Sequence, residues 1–178
     1  MSSLKVILAI GVIAAASWLP AKASDADDIA RALSAAPSGI ASGAAVVRVG
    51  KDGSMTTLRP GTNGYTCLVM GPVPAMCADQ NSLEFLQAYM KHAPPPNKNG
   101  LTYMLQGDSP GASNTDPYAM SKTSDNHWVV TGPHIMLFGP AAQTLGYPTT
   151  PDADPTKPYI MWAGTPYAHA MIPVAPSK

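Results

Sequence analysis

Nineteen prolines and 15 glycines cut this chain into short runs, and that punctuation limits what it can fold into. Proline removes a backbone donor and blocks helix continuation, and glycine marks turns. Between the breaks lie several β-branched or apolar stretches and one longer amphipathic one. They come in the order strands, helix, strands, without the alternation that builds a parallel sheet. The expectation is an α+β fold: a single domain, a mostly antiparallel sheet, one main amphipathic helix and long ordered loops. A hydrophobic fraction of 46% is enough for a folded core.

The pieces are readable one at a time. Ser24 or Asp25 caps a short helix, with Ile29 and Leu33 four apart and acidic residues in the first turn, where they suit the helix dipole. "AAVVRVGKDGSMTTLRP" reads as a hairpin, with Gly50 and Gly53 in its turn, and "YTCLVM" as the third strand of an antiparallel meander. Asp79 caps the amphipathic helix "QNSLEFLQAYMKH", which aligns Leu83, Leu86 and Met90. Pro94, Pro95 and Pro96 end it. "LTYMLQ", "HWVVT", "HIMLF", "YIMWA" and "YAHAMIPV" read as strands, and "PAAQTLG" as a single helical turn. Gly107 to Asn126 is a twenty-residue stretch without periodicity, the kind of loop that is functional or tied down.

Residues 1–23 read as a signal peptide: Lys5, then the apolar run Val6–Ala16, then the small-residue motif Ala21–Ala23. The run is shorter than the roughly 20 residues that span a bilayer. The expectation is export to the periplasm or the medium, with no membrane contact after cleavage. Residues 24–43 then form an N-terminal helix and linker, and 44–178 the α+β domain. Setting aside Lys5 and Lys22 leaves nine basic residues against eleven acidic ones. No Lys/Arg cluster exists, so a nucleic-acid partner is excluded on charge. Cys67 and Cys77 are the two cysteines, and in an oxidising compartment they are expected to form a disulfide.

Two segments carry candidate chemistry. "TGPHIMLFGP" and "TPYAHAMIPV" each place a histidine two residues before a methionine: His134 with Met136, and His169 with Met171. On a strand, such residues share a face. If the strands pair with His134 opposite Met171 and Met136 opposite His169, or in parallel with histidine opposite histidine, the four side chains form a box. Opposed neighbours would lie roughly 5 Å apart. Imidazole and thioether are soft ligands that suit copper better than magnesium or calcium. The bland reading of the same residues is core packing, for which methionine is well suited.

Around this box the sequence offers a binding pocket. His127 and Trp128 open the same strand region. Tyr103, Tyr118, Phe138, Tyr159, Trp162 and Tyr167 supply further aromatic surface in the second half. The expected ligand set is His127, Trp128, His134, His169, Tyr103 and Tyr167. His92, at the end of the second helix, suits the helix dipole instead. Two alternatives stand beside binding. One is a secreted hydrolase using Ser109 or a histidine-activated water, although no G-x-S-x-G elbow is present. The other is a structural or interaction protein without pocket chemistry. Asp108, Asn114 and Asp116 are oxygen donors of the kind calcium takes, and equally ordinary turn formers.

The segments "YTC…MC", "ASNTDPYA", "NHWVVTGPHIM" and "DPTKPYIMWAGTPYAHAMIPV" resemble a group of uncharacterised secreted bacterial proteins. The likeness runs from about Tyr65 onward. It implies export and one domain, and it attaches no activity and no catalytic residues. Ala168 stands where that pattern has an acidic residue, which weakens the idea of an acidic partner beside His169.

Overall fold

Ser24 opens helix α1 (Asp25–Leu33) with a capping box: its side chain accepts from the Asp27 N–H while Asp27 accepts from the Ser24 backbone N–H. The computed structural model describes residues 24–174; the expected signal peptide, residues 1–23, lies outside the described residues. A short helix, α2 (Ser38–Ala41), follows where the sequence reads as a loop. Among the described residues no helix is long and apolar enough to cross a membrane.

Eight strands form one sheet. They are β1 (Ala45–Val49), β2 (Met55–Arg59), β3 (Tyr65–Met70), β4 (Val73–Asp79), β5 (Gly100–Met104), β8 (His134–Phe138), β9 (Tyr159–Met161) and β10 (His169–Pro173). Their order across the sheet is β2-β1-β3-β4-β5-β8-β10-β9. Between β4 and β5 lies the main helix, α3 (Gln80–Met90), capped by Asp79 as the sequence implies. The long loop contains β6 (Ala112–Ser113), which pairs with β7 (Trp128–Val129) as a separate ribbon. Helix α4 (Pro140–Gln143) is the expected single turn. The fold is α+β.

The sheet is mixed, and this corrects the expected meander. The β1–β2 hairpin forms, but β3 lies on the far side of β1 and runs parallel to it, with Val46 beside Cys67. The chain reaches that side by crossing the start of β1. Thr62 N–H donates to the Gly43 carbonyl at 2.7 Å. A Cβ on Gly61 would stand 2.2 Å from the Ala45 nitrogen. Only glycine lets the two backbones pass.

The sheet's two faces differ in residue size. One carries Val46, Cys67, Val69, Ala75 and Cys77, small side chains that let α1 and the turn after it settle closely through Ala32 and Ala35. Cys67 and Cys77 face each other across β3 and β4 and form the disulfide. With a sequence separation of 10, loop entropy gives it about 2–3 kcal/mol. The buried carboxylate of Asp28 pins α1 to β1 through Arg48 Nε at 2.6 Å. That hydrogen bond holds the Asp28 carboxyl below the usual range. Toward the other end, α4 covers Ile160 and Ala170 on the same face. The opposite face carries the large side chains and the candidate site.

Replacing Gly61 by alanine pushes the crossover off β1. The expected result is a folded but weakened protein, with urea unfolding reporting a loss of about 1–3 kcal/mol; an unchanged midpoint would mean the crossover can move at no cost.

Candidate functional site

Strands β8 and β10 pair, and they do so antiparallel. The register differs by two residues from the expected box. Met136 faces Met171, and His134 faces Pro173. A two-residue slip keeps every side chain on its original face. His134, Met136, His169 and Met171 therefore still share one face, but the histidines sit at opposite ends of a central methionine pair. On the outer sides, Met104 of β5 faces His134, and Met161 of β9 faces His169.

Each histidine is buried, at 0% and 1% exposure for His134 and His169. Each is held the same way. His134 Nδ1 lies 2.7 Å from the Gly132 carbonyl, and His169 Nδ1 lies 3.0 Å from the Tyr167 carbonyl. A carbonyl only accepts, so Nδ1 carries the hydrogen and Nε2 bears the lone pair of the neutral ring. Neither Nε2 has a hydrogen-bond partner among the described residues. Burial lowers both imidazoles, His169 to about 4. A proton on His134 would lower His169 further.

Both histidines line one groove of about 480 Å³. All nine methionines that follow Met1 line it too. The groove crosses the large-residue face from Val49 and Met55 at one edge to Met161 near the other. Helix α3 forms one wall through Phe85, Leu86, Tyr89 and Met90, and the long loop contributes Pro110, Gly111 and Ala112. Met55, Met90 and Met120 are exposed, so thioethers stand at the mouth as well as on the floor. Aromatic rings surround His169: Phe138 and Trp162 each have centroids 4.9 Å away. Trp162 takes a left-handed backbone, φ 56°, and its indole N–H donates to the Ser113 carbonyl at 2.8 Å. That bond fixes a conformation that non-glycine residues rarely adopt.

The remaining candidates scatter. Trp128 lines the groove. His127 does not: its Nδ1 lies 2.7 Å from Asp152 on a separate cleft beside Lys122 and Ser124. Tyr103 points to the opposite face and packs on Tyr65. Tyr167 lies behind the groove wall, edge-on to Phe85, with its hydroxyl on the Ala93 carbonyl. Tyr118 stacks between Tyr89 and His92. The expected pocket of six residues thus reduces to His134, His169 and Trp128. Phe138 and Trp162, two of the further aromatics the sequence offered, also line the groove; Met104 and Met161 are unforeseen members, and strand parity was their signal.

The oxygen donors do not assemble. Asp108 accepts from the Thr131 N–H, Asn114 donates to the Thr150 and Pro151 carbonyls, and Asp116 accepts from the Tyr118 N–H. Among the described residues, no three His, Cys, Asp or Glu side chains cluster. Ser109 is exposed, and no histidine hydrogen-bonds to it among the described contacts. Asp108 lines the groove, and burial pushes its carboxyl up to about 6 against the opposing Thr131 bond. No protein-family model, curated protein or solved structure matches this chain.

The buried groups set a pH dependence of stability. His169 in the fold titrates at about 4, below its ordinary 6.5. The unfolded chain therefore takes the proton first, and stability falls as pH drops from 6.5 toward 4. For His169 alone the loss is about 3 kcal/mol, and His134 adds in the same direction. Asp108 acts oppositely: its folded value of about 6 lies above the ordinary 3.8, so the fold gains stability on acidification through that window. Asp108→Asn removes the opposing contribution. Its urea midpoint should fall more steeply between pH 6.5 and 4 than that of the native chain, both measured after chelator treatment; parallel pH profiles would contradict this.

Proposed function

We propose that this is an exported binding protein whose groove holds a soft metal ion, with copper the metal its donors suit. One observation carries the reading: every methionine after Met1 lines the groove that also contains two buried histidines, each with an unpartnered Nε2. A buried acceptor without a partner costs about 1–3 kcal/mol. Two such atoms on one apolar surface are most simply explained by a ligand that pairs with them. The carbonyl bonds to Nδ1 are the outer-shell contacts that orient a metal-binding imidazole and fix its tautomer. Thioether sulfur and neutral imidazole favour copper over the oxygen-seeking cations. The Cys67–Cys77 disulfide is consistent with an oxidising, exported setting.

A second reading, a small apolar molecule, is favoured by the volume. About 480 Å³ is far more than an ion needs and lies in the range of ordinary ligand pockets. Methionine-rich walls adapt to varied apolar shapes, and a donor group on such a ligand would meet an imidazole nitrogen.

Silver(I), which is redox-inert, separates the two readings. The purified mature chain in chloride-free buffer is expected to retain silver in native mass spectrometry and to compete for copper(I) with a chromogenic chelator. The double variant His134→Ala/His169→Ala should lose at least a hundredfold in affinity. No retained metal, or retention unchanged in the double variant, would remove the metal reading. A fluorescent apolar probe that binds the native chain but is not displaced by silver would favour the small molecule.

A further inference from the structure

We infer that the groove floor contains two equivalent three-donor sites for a monovalent soft cation, copper(I) or silver(I), rather than one four-donor site. His134, Met136 and Met104 form the first; His169, Met171 and Met161 form the second. The inference rests on the metal reading above and specifies its stoichiometry, ligands and oxidation state.

The strand registers carry the argument. In β8, Met136 follows His134 on the same face, and Met104 of β5 lies directly across from His134. In β10, Met171 follows His169 on the same face, and Met161 of β9 lies directly across from His169. Met136 and Met171 oppose each other at the centre. A local two-fold axis between these two methionines therefore exchanges the sites. It maps His134 onto His169, β8 onto β10 and the outer strand β5 onto β9. All six side chains line the same groove. Directly opposed residues lie roughly 5 Å apart at Cβ, and same-face neighbours on one strand are two rises away, roughly 7 Å. Flexible methionine side chains span both gaps.

The same geometry argues against a shared ion. By continuation of the register His169 lies level with Phe138, four residues from His134 along the strands. That is roughly 13 Å between the two backbones at 3.3 Å per residue, so a shared ion would need both rings to lean along the sheet, over the central Met136–Met171 pair, to bring their nitrogens within the roughly 4 Å that bonds near 2 Å require. Each histidine accordingly recruits its own pair of sulfurs. The charge argument selects the oxidation state. All six donors are neutral, and among the described residues lining the groove Asp108 is the single carboxylate, too little charge to balance two doubly charged ions. A doubly charged ion buried there would lack compensation, whereas a singly charged one costs far less to desolvate. Thioether ligands select copper(I) for the same softness.

The test counts ions. Native mass spectrometry of the mature chain, titrated with silver nitrate in chloride-free buffer, is expected to reach two bound ions. Met104→Leu and Met161→Leu keep side-chain volume and fold, and each should leave one ion held at native affinity and weaken the other at least tenfold. His134→Ala and His169→Ala should each do the same, and circular dichroism identifies any variant that unfolds. In NMR, substoichiometric silver should move the Nε2 resonances of both histidines. One ion removed by either histidine variant would overturn the two-site arrangement while leaving metal binding intact. Two ions surviving in Met104→Leu and Met161→Leu at native affinity would overturn the ligand assignment. A native chain that retains no silver would remove both the inference and the reading beneath it.

Discussion

Asp79 ties the main helix to the sheet twice, and the groove depends on that tie. One carboxylate oxygen accepts from the Ser82 N–H at 2.8 Å, capping α3; the other accepts from the Leu101 N–H at 2.9 Å, on β5. The helix start is thereby locked against the strand. Gly100 makes the approach possible, since a Cβ there would lie 2.5 Å from the Ser82 nitrogen. With its first turn fixed, α3 sets Phe85 against Phe138, centroids 4.2 Å apart. Tyr89 is left to stack on Tyr118 and Trp162. Eleven helical residues cannot cover eight strands. The rest of that face is bordered by a loop, and the gap between loop and helix is the groove.

The two faces divide the labour by side-chain size. Alanine, valine and the disulfide let α1 pack closely on one face, and stability concentrates there. On the other, methionine is a poor choice for a unique, rigid core because its side chain has many rotamers. It is a good choice for a wall that must yield to an occupant. Leaving two imidazole nitrogens without a protein partner in that wall costs stability, a cost that the proposed ligand would offset.

Much of this was legible in the chain. Asp79 as a cap, the β1–β2 hairpin, the disulfide and the shared face of the two His-x-Met segments all follow from local rules that the fold obeys. The failures have physical causes. Nothing local distinguishes an antiparallel third strand from one that crosses β1, because the deciding contact is the Gly61 backbone against Ala45. Register between β8 and β10 is fixed by their connections and not by pattern, since a two-residue slip preserves every face. Tyr103 was misplaced although its parity is opposite to that of Met104, one residue on. His127 sits at a positive φ of 47°, a turn conformation that directs it to Asp152 and away from the strand it precedes.

The burial that makes His169 a poor catalyst suits the ligand role proposed for it. A general acid or base works best when it exchanges its proton near the working pH. An imidazole at about 4 stays neutral throughout the physiological range and has no proton to lend from Nε2. A metal needs that state, because the ligating nitrogen must be unprotonated. Protons then compete only in strong acid, and the carbonyl on Nδ1 keeps the free lone pair on Nε2. His134, lowered by burial as well, shares the carbonyl contact two residues upstream, the burial and the methionine two residues downstream. Repetition of a whole local arrangement, and not of a sequence pair alone, is what favours binding over packing here.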